Sequence, residues 1–274
     1  MSQPGEHGPD DDRIELGTML FTLVEPRPGH EVAYHRWYER DHFYAGCMIG
    51  PFNFAGQRWV ATRPLKERRY PEGSPITPDP TQGSYLAVYF VLAGHHDEWN
   101  RWAVDQVNKL HANGRMFTDR DHIHTALYRY EWAVSRDPDG VPPELALDHR
   151  FGGLVAVVGE AAEGVEVDEA QRWMRAEHVP AVLGDSAGGG AGALCLGFSP
   201  MPLLADAPDD VPREDDTARR FMQLWFLDTE PDAAWETFES LGPQVEAGGK
   251  ARLVWVAPFL PTVPGTDKYT DQLR

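Results

Sequence analysis

Apolar positions along the chain follow two periods, and the period changes at regular intervals. Met19-Leu20-Phe21-Thr22-Leu23-Val24 is a short apolar run, a strand signal within 14–26. From His30 to Tyr44 the period lengthens: Val32, Tyr34, Trp37, Tyr38 and Asp41 spread round a helix that Gly46 and Gly50-Pro51 should end. Residues 52–62 read as a strand. Residues 64–83 form a proline-rich loop carrying Lys66, Arg68 and Arg69, long enough to be functional or mobile. Tyr85 to Leu92 is the strongest strand. Trp99, Trp102, Val104, Val107 and Leu110 keep helical spacing over 97–113, and 122–134 alternates like a half-buried strand.

That order, β-α-β-β-α-β, occurs twice. Arg36-Trp37-Tyr38-Glu39-Arg40-Asp41-His42 returns 136 positions later as Arg172-Trp173-Met174-Arg175-Ala176-Glu177-His178. Gly17 pairs with Gly153 at the same offset, Tyr85 to Val91 with Phe221 to Leu227, and Trp99 with Trp235. One offset through five elements marks a tandem duplication. Each unit is a ferredoxin-like βαββαβ motif whose sheet has helices on one face only. The expected fold is therefore α+β, two such units packing their bare sheet faces into an intrachain pseudo-dimeric barrel. The boundaries read as a disordered tail at 1–12, a first half at 13–135, a linker at 136–150, a second half at 151–260 and an extended tail at 261–274.

Composition narrows the partners. With 42% hydrophobic residues, 9 Trp and 12 Phe, the chain can fill real cores. Its net charge of −18 argues against nucleic acid and anionic membrane surfaces. Cys47 and Cys195 belong to no CxxC, so a reducing, cytoplasmic setting is expected, and no apolar run has the length of a membrane span. Further pairing of the pseudo-dimer into a homodimer is left open.

The helix with Trp37-Tyr38 and His42, between an apolar strand and a Gly-Pro break, resembles the dimeric α+β barrel superfamily, with EthD-like proteins as the nearest relatives. The resemblance covers both halves. It implies a ligand cleft between each sheet and its helices, with His42 and the matching His178 pointing toward it.

On the residues themselves, His35, Tyr38 and His42 are spaced i, i+3, i+7 and should share a helix face. Imidazole titrates near neutrality, which suits general acid/base work, and a tyrosine hydroxyl orients a carbonyl or phenol. The second copy has Gln171, Met174 and His178 there, so the first half is the better candidate. Trp37, Arg58, Tyr89 and Tyr128 are candidate substrate contacts, although Trp37 and Trp173 read more readily as core anchors. His122 and His124 lie two apart on a strand, hence on one face. The expected function is a small-molecule enzyme with no metal and no cofactor, moving a proton with His42 on an apolar, aromatic substrate. The alternatives are a non-catalytic binding protein using the same cleft and a haem- or metal-dependent member.

Overall fold

The computed structural model describes residues 13–184, 192–203 and 217–274. The N-terminal tail 1–12, the glycine-rich stretch 185–191 and residues 204–216 lie outside the described residues.

The first half runs β1 (Leu16–Pro26), α1 (Glu31–Trp37), β2 (Asn53–Val60), α2 (Arg63–Glu67), β3 (Tyr85–Leu92), α3 (His96–Ala112) and β4 (Arg120–Ser135). The second runs β5 (Gly153–Ala161), α4 (Val167–Trp173), α5 (Val179–Leu183), β6 (Leu194–Met201), β7 (Arg220–Leu227), α6 (Pro231–Glu239), α7 (Leu241–Ala247) and β8 (Ala251–Pro261). The strands close one antiparallel barrel in the order β1-β3-β2-β8-β5-β7-β6-β4. Read from its ends, that order is two ferredoxin-like sheets, β4-β1-β3-β2 and β8-β5-β7-β6, joined edge to edge. Its two seams are unequal. β4 and β6 pair through eight positions, from Leu127↔Met201 to Ser135↔Leu194, whereas β2 and β8 pair only at Trp59↔Pro261 and Val60↔Leu260. Beside the short seam, Tyr70 of the 64–83 loop bridges to Val256 of β8.

Alternation explains how the strands serve two layers. Met19, Phe21 and Leu23 enter the barrel, where Phe21 meets Trp255 and Trp59 meets Phe226. Leu20, Thr22 and Val24 face the helices. β3 and β7 are buried on both faces, which is why they read as unbroken apolar runs. The stretch expected as a linker packs as well: Ala146 and Leu147 are buried in the barrel cluster, next to Phe151 of the second half, which lies 5.1 Å from Phe226.

The first helix departs from the sequence reading. It does not end at Gly46 but passes from α1 into a π-helical segment, Tyr38–Met48. The second copy does the same over Met174–His178. In an α-helix residues five apart diverge by about 140°. With i→i+5 hydrogen bonds they lie over one another. Trp and His are five apart in both motifs, and both pairs stack: Trp37 on His42 at 4.6 Å and 18°, Trp173 on His178 at 5.1 Å and 24°. Gly46 lies inside this segment, and the position suits glycine because a Cβ there would sit 2.7 Å from the His42 ring.

Candidate functional site

A cavity of about 120 Å³ lies in the first half, between the sheet and the two helices that cover it. β1 supplies Leu20, Thr22 and Val24. β4 supplies Arg120, His122, Thr125 and Leu127, and the π-helical segment supplies His42, Gly46 and Cys47, with Tyr38 at its start. α3 forms the far wall with Trp99, Asn100, Ala103, Val104, Val107 and His111, and Leu203 of the second half reaches in beside it.

His42 is the central polar group. Neither ring nitrogen has a hydrogen bond among the described residues, and Nδ1 is fully buried. Burial pushes its pKa down to about 3, and Arg120, His122, His111 and Arg58 act in the same direction. The ring is thus neutral throughout the physiological range. Tyr38 receives a hydrogen bond from the Tyr89 hydroxyl at 3.0 Å, and the Arg58 guanidinium lies 4.6 Å from its ring centroid. Burial raises the Tyr38 hydroxyl well above the usual tyrosine range and the Cys47 thiol to about 12. Cys47 is therefore a protonated wall residue, not a thiolate nucleophile.

The other predicted residues are distributed differently from the sequence reading. His35 does not share the face of His42, because the switch to π-helical spacing after Trp37 changes the angular step. Its Nε2–H donates to the Thr266 carbonyl at 2.8 Å, and Arg58 Nη1 approaches its Nδ1 at 3.4 Å. Burial and the Arg58 charge lower its pKa. Trp37 backs His42 and donates from Nε1 to the Arg115 carbonyl. Arg58 and Tyr89 support Tyr38 from behind and are not cavity walls. His178 belongs to the second half, with Nε2 buried and without a hydrogen-bond partner among the described residues.

His122 and His124 are separated by a bulge. β4 slips one residue against β1 between Leu23↔His124 and Val24↔His122. His122 faces the cavity. His124 turns into the barrel, 3.0 Å from the Tyr128 hydroxyl and edge-on to Phe21. Tyr128 follows it inward and is buried. The expectation that the two histidines share a face fails for this reason.

Sequence reasoning missed Arg120, His111 and Asn100. A signal existed for two of them: Asn100, Ala103, Val104, Val107 and His111 form one stripe of α3, with polar residues at both ends of an apolar run. Arg120 carried none. Among the described residues no group of three or more His, Cys, Asp or Glu could hold a metal ion, and no helix is long and apolar enough to cross a membrane.

No family model matches the chain, and no curated protein matches it. Solved structures do. A DypB variant from Rhodococcus jostii in complex with heme aligns with a TM-score of 0.54 and 10% identity, over 94% of this chain and 96% of its own. The encapsulated DyP-type peroxidase from Mycobacterium smegmatis gives 0.51 and 12%, over 97% and 96%. A candidate chlorite dismutase gives 0.53 and 11%, over 94% and 99%. At these identities the likeness shows the fold alone, two ferredoxin-like α+β units closing one barrel. It also overturns two expectations. The same two-unit architecture is found carrying heme, so an enzyme working without metal or cofactor is not supported. The state of His42 points the same way: a ring that stays neutral to about pH 3 is far from the pKa near operating pH that general acid/base catalysis requires.

Proposed function

We propose that the first-half cleft is a binding site for a compact, largely apolar small molecule. The cavity carries this reading: about 120 Å³ between sheet and helices, walled by Leu20, Val24, Ala103, Val104, Val107 and Leu127. That volume is on the scale of the engineered cavity of about 150 Å³ that takes up benzene in another protein. Ala103→Phe projects a ring into the space. The variant should keep its circular dichroism spectrum and lose binding of benzene-sized probes measured by ligand-observed NMR. Retained binding would place the probe elsewhere and defeat the reading. Within the superfamily we assign the chain to the EthD-like branch, on the motif of Trp37, Tyr38 and His42 before Gly50-Pro51.

A second reading, a haem-dependent protein, is favoured by His42. Iron takes a neutral imidazole, and His42 is neutral and not hydrogen-bonded among the described residues. Haem brings four nitrogens of its own, so one histidine suffices; Arg120 and His111 would meet its acidic side chains. The donors fit. The space does not, because a cavity of about 120 Å³ holds one ring and not a macrocycle of four. No step is therefore routed through haem. Titration with haemin separates the readings: a Soret band that depends on His42 and vanishes in His42→Ala establishes the second. Ring binding without such a band leaves the first.

A further inference from the structure

The polar groups of the cleft that lack partners define what its ligand carries, given the reading of this cleft as a binding site. Most polar walls serve one another. The Thr22 and Thr125 hydroxyls lie 2.8 Å apart, and Thr125 Oγ1 lies 3.0 Å from His122 Nδ1. Arg120 and His122 have further partners in the chain, Tyr38 accepts from Tyr89, and His111 is exposed to water. Two walls hold an enclosed nitrogen with no hydrogen-bond partner among the described residues, His42 Nδ1 and Trp99 Nε1. They belong to opposite ends. The first helix and α3 run antiparallel: Asp41 pairs with Arg115, the Ala45 carbonyl accepts from Gln106 at 2.6 Å, and Gly50 abuts Trp102. His42 is therefore at the His111 end, and Trp99 and Asn100 stand about 16 Å away along the α3 axis. There the indole N–H donates only, and the Asn100 amide both donates and accepts. At the other end burial keeps His42 neutral, so its ring carries one N–H and one bare nitrogen. Trp37 covers one face of that ring at 4.6 Å. Its edge lies against Gly46, whose lack of a Cβ leaves room beside the nitrogens: a Cβ would come within 2.7 Å of Cε1, 2.8 Å of Nδ1 and 3.2 Å of Nε2.

We propose that the cleft takes a neutral single-ring molecule bearing one hydroxyl group, with the hydroxyl on the His42 imidazole and the ring against Leu20, Val104, Val107 and Leu127. A hydroxyl both donates and accepts, so it completes His42 in either tautomer. A carbonyl or an ether answers only the N–H. A charged group gives up its water in a mostly apolar cleft. A hydrocarbon ring fills the same space and leaves the imidazole nitrogen unpaired, at the cost that an enclosed polar atom carries.

The test is calorimetric titration of the full chain with phenol and with toluene, which match in size and differ by a hydroxyl for a methyl. Phenol should bind at least as tightly as toluene, although water holds phenol more strongly. His42→Phe should weaken phenol about tenfold, the factor that one hydrogen bond supplies, and leave toluene nearly unchanged. Asn100→Leu should not reproduce that selective loss. Should His42→Phe fail to fold, nitrogen NMR of the histidine rings in the unaltered protein gives a second measure: phenol should move the His42 resonances far more than toluene does. Toluene bound with phenol rejected, equal shifts from the two, or a loss of phenol in Asn100→Leu instead of His42→Phe overturns the hydroxyl assignment and leaves the binding site standing. Failure of both compounds to bind overturns the binding site itself.

Discussion

At the residue scale, His42 and His124 show what local pattern does and does not carry. The motif placed His42 on a helix beside a sheet, and the cavity lies there. Its protonation state was not legible, because burial, Arg120, His122 and His111 set it, and those partners lie on β4 and α3. His124 was misplaced because a one-residue bulge inverts every later side chain of β4, and no residue type announces it. The state of His42 has a thermodynamic consequence. Its folded pKa, about 3, lies below the usual histidine value of 6.5. Between those values the unfolded chain binds a proton that the folded chain refuses, so stability is full above about pH 6.5 and is lost as pH falls toward 3. One such group contributes a slope of at most about 1.4 kcal/mol per pH unit. His42→Phe keeps a ring against Trp37 and removes the titration. Its urea midpoint should fall less steeply between pH 7 and 4.5 than that of the unaltered protein. Parallel slopes would mean that His42 is not held neutral.

At the element scale, the helix of residues 31–48 depends on a segment more than two hundred positions away. Its α-to-π transition could not be read from periodicity, since i, i+3, i+7 arithmetic assumes one pitch throughout. The Trp-to-His spacing of five, present twice, was the available sign. The C-terminal tail, expected to be merely extended, straps this helix. Thr266 accepts from His35, Asp267 pairs with Arg36, and the Gly265 N–H donates to Glu39 at 2.8 Å. Arg274 then reaches Glu25 at 3.2 Å and Glu31 at 2.7 Å, while Tyr269 and Leu273 are buried. The exposed ion pairs add little. The two buried side chains are worth about 3–6 kcal/mol together, and buried Glu25 loses the closer of its two cationic partners without Arg274. Deleting residues 265–274 should lower stability by about that amount and speed hydrogen exchange across 31–48 ahead of the rest. Unchanged exchange in that helix would show that the strap does not hold it.

At the scale of the molecule, duplication made the architecture legible, because one offset through five elements specifies both the unit and its copy number. The inequality of the seams was not legible. It arises where the 64–83 loop, with no counterpart in the periodic pattern, lays Tyr70 along β8 and packs it against Trp235 and Gly242 of the second half. The barrel interior belongs to neither half alone: Phe90 faces Phe198, Trp59 faces Phe226, and Phe21 faces Trp255. A half cut free exposes that whole apolar face and two strand edges, and such a surface aggregates or finds a partner. Cleaving the backbone between Asp139 and Gly140 tests this with no side chain altered. Fragment 1–139 expressed alone should be insoluble or self-associated. Co-expressed with 140–274, it should yield a soluble one-to-one complex that binds the same probes as the intact chain, because every cavity wall but Leu203 lies in the first fragment. A stable, monomeric 1–139 in analytical ultracentrifugation would show that the first sheet does not need the second to cover it.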